Sequence, residues 1–164
     1  MKQCEACGGA GWLWGRELMN PSEDTVNDSQ THYTCDRCGG RKTIYIIGRF
    51  RGVERYNYEA FLHAAHMLRC AGWNVINPHD EDLVAGFDVR NYRPEENGLT
   101  WDDYPPLFDV AACLARNLAN VERADAVFVL SGGIGSNGVR ELIHAMVKNK
   151  EVYQEEDGYP NEKV

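Results

Sequence analysis

The stretch that decides the fold reads Thr43-Ile44-Tyr45-Ile46-Ile47-Gly48. A run of β-branched and aromatic residues that ends at a glycine predicts a short strand buried on both faces. Strands of this kind belong to parallel sheets, whose two faces are covered by helices. The run also marks a domain boundary near residue 42, because the sequence before it shows almost no periodic apolar pattern.

Patterns typical of helices and strands alternate after this first strand. Apolar residues at helical spacing follow Asn57, a candidate N-cap, and stop before Gly72. Further strands are predicted over residues 73–77 and 126–130, and further helices over 105–123 and 139–149, with a long loop over 79–104. This order predicts an α/β fold of the Rossmann or flavodoxin-like kind, a parallel sheet with helices on both faces that binds ligands at the carboxyl ends of its strands.

The chain is predicted to divide into three parts. An N-terminal segment covers residues 1–42, and the α/β domain covers residues 43–150. An acidic, solvated tail covers residues 151–164 and includes a short strand at Val152 and Tyr153.

The charge balance excludes one class of partner. Seventeen Lys and Arg residues against twenty-five Asp and Glu residues give a net charge of −8, so no general field attracts the chain to nucleic acid. The sequence has no run of eighteen apolar residues, and its first residues, Met1-Lys2-Gln3-Cys4, lack the apolar core of a secretory signal. We therefore expect a cytoplasmic protein with no membrane association.

Two cysteine pairs stand in the N-terminal segment, Cys4-x-x-Cys7 and Cys35-x-x-Cys38, and each is followed by two glycines. Four thiolates at this spacing can surround one structural Zn²⁺ tetrahedrally. A redox pair is the alternative, although it needs no second copy. The first cluster resembles the CxxCxGxG repeat of the DnaJ-type zinc domain, and the second keeps only the first half of that repeat. We predict a small zinc ribbon over residues 1–42, with these four cysteines as ligands.

A loop rich in glycine and arginine follows the first strand and reads Gly48-Arg49-Phe50-Arg51-Gly52. Glycines let the backbone approach a ligand, and arginines pair with phosphate or carboxylate oxygens. Taken alone, the loop is equally compatible with two solvated arginines.

Residues 43–150 resemble a known family. The motifs that carry the resemblance are Tyr45-Ile46-Ile47-Gly48-x-x-Arg51-Gly52, Asn77-Pro78, Trp101-Asp102-Asp103-Tyr104, Ala124-Asp125-Ala126-Val127-x-x-Leu130 and Ser136-x-Gly138-x-x-Glu141. Together they resemble the DUF4406 branch of the nucleoside 2-deoxyribosyltransferase-like superfamily, which is common in phages and their hosts. The resemblance implies a nucleoside or nucleotide ligand, cleavage or exchange of an N-glycosidic bond, and assembly into dimers or larger homo-oligomers.

The resemblance also implies roles for single residues. Glu141 matches the nucleophile that attacks the anomeric carbon, and Tyr45 matches the family's tyrosine of the first strand, a further catalytic candidate. The substrate-binding residues, several of them near a 5′-phosphate, are Gly48, Arg49, Arg51, Gly52, Asp125, Gly133, Ser136 and Gly138. The position of the family's catalytic aspartate is occupied by Asn117, which has no titratable proton, and loss of a general acid costs about 10²–10⁴ in rate.

Each of the three catalytic candidates also has a purely structural interpretation. Glu141 is then a first-turn glutamate favoured by the helix dipole, Asn117 a polar residue on an exposed helix face, and Tyr45 a buried aromatic residue whose hydroxyl finds a partner. The spacing from Ser136 to Glu141 is one residue shorter than in the family, which turns Glu141 by roughly 100° if the helix begins at the same point.

Three functions therefore stay open. The first is an N-glycosidase or deoxyribosyltransferase in which Asp102 or Asp109 replaces the missing acid. The second is an inactive module that binds or senses a nucleotide. The third is an adaptor that docks through its zinc ribbon, although residues 1–42 carry no basic stripe.

Overall fold

A computed structural model describes residues 12–14, 32–34, 41–106 and 108–161. Strands β1 (Trp12–Trp14) and β2 (His32–Thr34) pair antiparallel, with Trp12 opposite Thr34. The four cysteines predicted to bind zinc lie outside the described residues. The remaining elements form one α/β unit.

A parallel sheet is the centre of this unit, as predicted. It is built from β3 (Thr43–Ile47), β4 (Asn74–Ile76), β5 (Ala126–Val129) and β6 (Glu151–Gln154), in the order β4-β3-β5-β6. Tyr45 of β3 lies opposite Ile76 on one side and Val127 on the other. β3 therefore lies between two other strands in the interior of the sheet, which explains why both of its faces are apolar.

Helices cover both faces of the sheet. On one face, α1 (Tyr58–Cys70) packs Phe61 and Leu68 into a cluster with Ile44, Ile46 and Phe128. On the other face, α3 (Val110–Arg123) and α4 (Ser136–Val147) bury Val121 and Ala145 in a second cluster, which contains Tyr45, Ile47 and Val127. Successive side chains of a strand point to opposite faces, so β3 contributes to both clusters.

The segment predicted as a long loop, residues 79–104, contains helical structure. Helix α2 (Pro78–Val84) follows β4 directly, and a 3-10 turn covers Pro94–Asn97. Asn77 caps α2 by accepting a hydrogen bond from the backbone N–H of His79 at 3.2 Å, and Pro78 occupies the first helical position. The helix is short and mostly polar, so it has no apolar period that sequence analysis detects.

Two predicted helix starts are wrong. Helix α3 begins at Val110 instead of residue 105, because Asp109 supplies its cap by accepting from the backbone N–H of Ala112 at 2.9 Å. Helix α4 begins at Ser136, three residues earlier than predicted. Asn57 does precede α1, but it has a left-handed backbone and its side chain donates to the carbonyl of Arg49 at 3.0 Å.

The segment after residue 150 belongs largely to the domain. Strand β6 extends the sheet, the Tyr159 ring stacks on Phe128 with centroids 5.1 Å apart, and the Trp73 indole donates to the carbonyl of Pro160 at 2.7 Å. These contacts cover apolar surface beside α1. The short strand expected at Val152 and Tyr153 is present within β6, and most of the segment's described residues are exposed. Within the described ranges, no helix has the length and apolar character needed to cross a bilayer.

Candidate functional site

A cavity of about 430 Å³ opens at the edge of the sheet where the parallel strands end. The loops after β3 and β5 form its mouth, and α2, α3 and α4 supply its walls. Nine of the predicted site residues line it: Tyr45, Gly48, Arg49, Arg51, Asn117, Gly133, Ser136, Gly138 and Glu141. The cavity thus lies at the carboxyl ends of the strands, where the sequence analysis expects a ligand to bind.

Glu141 is buried on the cavity wall, with 5% of its surface exposed. One of its carboxylate oxygens, Oε1, accepts a hydrogen bond from Nδ2 of Asn117 at 2.9 Å. Because α4 begins at Ser136, Glu141 lies beyond the first turn and faces inward, so the helix dipole does not explain it. Burial raises the pKa of Glu141 to about 7, although the hydrogen bond from Asn117 opposes the shift.

Oδ1 of Asn117, beside Glu141, is buried and has no hydrogen-bond partner among the described residues. The Tyr45 hydroxyl is buried there too, and its hydrogen bond to the Glu141 carboxylate lowers the pKa of Glu141. Burial and the nearby Glu141 charge both raise the pKa of Tyr45, which therefore keeps its proton and stays a donor. Buried polar groups left unpaired are costly, so such atoms at a cavity wall point to a ligand that completes them. Asn117 does not fit its purely structural interpretation, because it is buried. The Tyr45 hydroxyl has the Glu141 carboxyl beside it, as its structural interpretation expects.

We expect the folded protein to lose stability through Glu141 as the pH rises from 4.5 to about 7. The folded state holds the Glu141 proton up to a pKa of about 7, whereas the unfolded chain releases it near 4.5. Unfolding therefore releases a proton in this window, and the free energy of unfolding falls as the pH rises. The difference between these two pKa values of Glu141 corresponds to a change of roughly 3 kcal/mol in the free energy of unfolding.

Chemical denaturation at pH 4.5 and pH 8 measures this loss. Between pH 4.5 and pH 8, the free energy of unfolding of the wild type should fall by about 3 kcal/mol more than that of Glu141→Gln. An equal fall in both proteins would contradict the interpretation that Glu141 is buried and keeps its proton up to a pH of about 7.

Two arginines stand at the mouth of the cavity. Nε of Arg49 donates to the carbonyl of Arg51 at 3.1 Å, and Nη1 of Arg51 donates to the carbonyl of Asp102 at 3.3 Å. The Arg51 guanidinium also lies 4.6 Å from the centre of the Tyr104 ring. In the described part of the chain, neither guanidinium has a carboxylate within ion-pair distance. Both charges are therefore available to an anionic ligand.

The amino end of α4 also faces the cavity. Gly132 and Gly133 have φ values of +84° and +87°, a conformation that other residues adopt at a cost. Gly138 lets α4 approach β3, because a Cβ there would lie 3.1 Å from Cβ of Ile134 and 3.3 Å from Cγ2 of Ile47. No described side chain caps α4, so its first N–H groups remain free to bind an anion.

Two predicted substrate-binding residues do not reach the cavity. Gly52 shapes the arginine loop instead: its φ is +75°, and a Cβ would lie 2.8 Å from both Nη2 of Arg49 and Oδ1 of Asp102. Asp125 lies at the amino ends of the strands, the end opposite to the cavity, where its carboxylate accepts a hydrogen bond from the backbone N–H of Thr43 at 2.7 Å. A residue that precedes its strand cannot reach a site at the carboxyl ends, so Asp125 holds β3 and β5 together.

Asp102 and Asp109, the proposed replacement acids, and the neighbouring Asp103 differ in position. Asp109 caps α3 and lies outside this cavity, whereas Asp102 lines the mouth and is exposed. Hydrogen bonds from the backbone and hydroxyl of Thr100 lower the pKa of Asp103, so it stays ionised in a turn. Of the three, only Asp102 is placed to meet a ligand.

Sequence analysis missed three residues beside the cavity. Asp82 of α2 is 2% exposed and lines the wall, and it forms an ion pair with Arg116 of α3. Cys113 of α3 also lines the wall, where burial raises its pKa to about 11, so it remains a thiol. The Asn77-Pro78 cap was the available signal for α2, and hence for Asp82.

An aromatic wall completes the cavity. The Phe50, Tyr104 and Phe108 rings line it, with Tyr104 and Phe108 stacked at 5.9 Å and Phe50 and Phe108 at 6.5 Å. Aromatic faces of this kind suit a flat, apolar ligand group. Among the described residues, no cluster of three or more His, Cys, Asp or Glu side chains is placed to hold a metal ion.

Residues 42–153, roughly two thirds of the chain, match a family model described as a domain of unknown function, DUF4406. No curated protein matches the chain.

Proposed function

Because the chain belongs to the DUF4406 family, whose description assigns no activity, we propose a function from the cavity itself. The protein cleaves or exchanges the N-glycosidic bond of a nucleoside or nucleotide, and Glu141 is the nucleophile. The observation that carries this proposal is the Glu141 carboxyl, buried at the strand-end cavity beside Asn117 and Tyr45. A buried glutamate that only supported the fold would not need to lie at a cavity beside two further polar side chains.

The arrangement suits attack on an anomeric carbon. A carboxylate can trap or stabilise the oxocarbenium-like centre that forms as a glycosidic bond breaks. The hydrogen bond from Asn117 orients Glu141 and favours its ionised form. With a pKa of about 7, a substantial fraction of Glu141 is ionised at neutral pH and ready to react.

The mouth of the cavity suits a phosphate. Arg49 and Arg51 have no carboxylate partner among the described residues, and the free N–H groups of α4 face the same space. Ser136 adds a hydroxyl at the start of that helix. Charge-assisted hydrogen bonds from arginine to phosphate are among the strongest polar contacts, so a 5′-monophosphate is the preferred substrate form.

We expect Arg51→Ala to remove most of the preference for a nucleoside monophosphate over its nucleoside. Loss of one charge-assisted contact weakens binding by about 1.5–3 kcal/mol, which is roughly ten- to a hundredfold in affinity. Titration calorimetry with both ligand forms measures the effect. Arg69→Ala, which removes an exposed arginine paired with Asp80, is the control and should leave the preference unchanged. Equal affinity of the wild type for both forms would refute the phosphate site.

A panel of nucleosides and their 5′-monophosphates, in the ribo and deoxyribo series, tests the proposed reaction. Chromatography should detect free base, or an exchanged nucleoside when a second base is supplied. Asn117, an amide at the position of the family's acid, favours a second candidate function, a nucleotide-binding module without turnover. Tight binding with no base release across the panel would support that module and refute the enzyme.

The N-terminal segment is proposed to hold one structural Zn²⁺ through Cys4, Cys7, Cys35 and Cys38. The antiparallel pair β1–β2 supports this assignment, because Trp12 lies opposite Thr34 and the chain therefore enters β1 and leaves β2 at the same end. One cysteine pair precedes that entry and the other follows that exit. Zinc bound by four thiolates stabilises a fold and takes no part in the reaction.

A further inference from the structure

We infer that Asp82 is the general acid that protonates the departing base, a role that rests on the proposed function of Glu141. Asp82 comes from α2, a helix that the sequence analysis did not predict, and its side chain reaches the wall of the same cavity. It is the second buried carboxyl group there, and like Glu141 it is almost completely removed from solvent. Enzymes that hydrolyse glycosidic bonds generally use a pair of carboxyl groups in one active site.

The two oxygens of Asp82 are used differently. Oδ1 receives the ion pair from Nη2 of Arg116 and faces the Cys113 thiol, whose sulfur lies 3.9 Å away. Oδ2 accepts no hydrogen bond from any described residue. Because Asp82 lines the cavity, this oxygen is the one left to interact with a ligand there.

The surroundings of Asp82 suit an acid that must also release its proton. Burial raises the pKa of Asp82 and outweighs the opposing effect of Arg116. The other charged or titratable groups that influence or face it are Glu81 on α2, Cys113 on α3, Tyr45 on β3 and Glu141 on α4. Arg116 is the one cation among these groups, and it stabilises the carboxylate that remains after proton transfer.

The remaining polar groups are less suited to the role. Asn117 has no proton to donate, and its Nδ2 is already bonded to Glu141. Asp109 caps α3 and lies outside the cavity, and Asp102 is exposed at the mouth of the cavity, in contrast to the buried Asp82. Cys113 holds its proton too tightly, because burial raises its pKa to about 11.

The step balances with water or a second base as the co-reactant. A Glu141 oxygen forms a bond to the anomeric carbon while the carbon–nitrogen bond breaks, and its electron pair goes to the base nitrogen. The Asp82 proton moves to the base, which leaves neutral. A water molecule then attacks the anomeric carbon, frees Glu141 and returns one proton to Asp82; in base exchange the acceptor base supplies that proton instead.

The leaving group provides the test. Wild type and Asp82→Asn are assayed with the nucleotide that the wild type cleaves best, and with the same sugar phosphate carrying 4-nitrophenolate, which departs without protonation. We expect Asp82→Asn to lower kcat by about 10²–10⁴ for the nucleotide and by less than about tenfold for the nitrophenyl compound. The control is Asp80→Asn, an exposed carboxyl group on the same helix, and it should leave both rates unchanged.

A pH profile supplies a second readout that a purely structural residue would not change. The wild-type kcat should fall on the alkaline side as Asp82 loses its proton, and Asp82→Asn should lack this limb. Thermal melting shows whether the variant is folded, since asparagine keeps an acceptor for Arg116. Equal losses with both leaving groups, an unchanged kcat for the nucleotide, or an alkaline limb that survives in Asp82→Asn would each overturn the assignment.

The two proposals fail in different ways. Absence of base release by the wild type would refute the proposed function, and this inference with it. Base release by the wild type with any of the contrary Asp82→Asn results would refute only the role of Asp82. If the nitrophenyl compound is not a substrate, the nucleotide rate and the alkaline limb decide the matter.

Discussion

Glu141→Gln is expected to abolish base release and to make the folded protein more stable above pH 7. The variant keeps an oxygen that accepts from Asn117 but has no carboxylate to attack the anomeric carbon. Loss of a nucleophile lowers kcat by about 10⁴-fold or more. Stability rises because the variant no longer carries a buried charge at alkaline pH, which the pKa of about 7 shows to be unfavourable.

Released base and the free energy of unfolding at pH 8 are the two measurements. Glu156→Gln, an exposed glutamate of the C-terminal segment, is the matched control and should change neither. Opposite movements of activity and stability distinguish a nucleophile from a residue that only supports the fold, whose removal lowers both. Base release at the wild-type rate in Glu141→Gln would exclude Glu141 as the nucleophile and direct attention to Asp82 and Asp102.

Removal of zinc is expected to unfold the N-terminal ribbon and to leave the α/β domain folded. A structural Zn²⁺ supplies about 10 kcal/mol or more of apparent binding free energy in small zinc domains, and a segment of some forty residues has little core of its own to replace it. The α/β domain keeps its two apolar clusters, which contain no zinc ligand. Hydrogen exchange should therefore quicken in β1 and β2 after chelation and remain unchanged in β3 and β5.

Cysteine variants make the zinc prediction specific. Metal analysis should find about one zinc per chain in the wild type and much less in Cys35→Ser. Cys70→Ser removes an exposed cysteine of α1 and should keep the metal. Wild-type protein without zinc, or a disulfide between Cys4 and Cys7 in a reduced lysate, would contradict the four-thiolate site.

Sequence patterns predicted the sheet because its buried strands are almost wholly apolar. Ile44 to Ile47 are fully buried in the central strand, and the apolar run of β5 is as distinct. The meeting of Tyr45, Asn117 and Glu141 followed from the family resemblance, since residues so far apart in sequence carry no local signal of contact. The shorter spacing from Ser136 to Glu141 did not turn the glutamate outward, because α4 starts at Ser136 and Glu141 still faces the cavity.

Features that depend on tertiary contacts could not be predicted from the sequence. Asp82 was missed because α2 has seven residues and a polar surface, so the contact with Arg116 is visible only in three dimensions. Asp125 was placed with the substrate through its motif, but its hydrogen bond to Thr43 serves the other end of the sheet. The short strand at Val152 and Tyr153 was predicted and is part of β6, but the packing of Tyr159 on Phe128 has no local signal in the sequence.

The central position of β3 has a consequence for synthesis on the ribosome. One edge of β3 stays unpaired until β5 has been synthesised. Thr43 at the start of β3 pairs with Asp125, which precedes β5 and follows Thr43 by 82 residues. At about 5–20 residues per second, the nascent chain exposes that edge for roughly 4–16 s. During this interval chaperones that bind unpaired apolar strands have a target. Glu141 emerges later still, so the cavity wall that contains it cannot assemble until α4 has been translated.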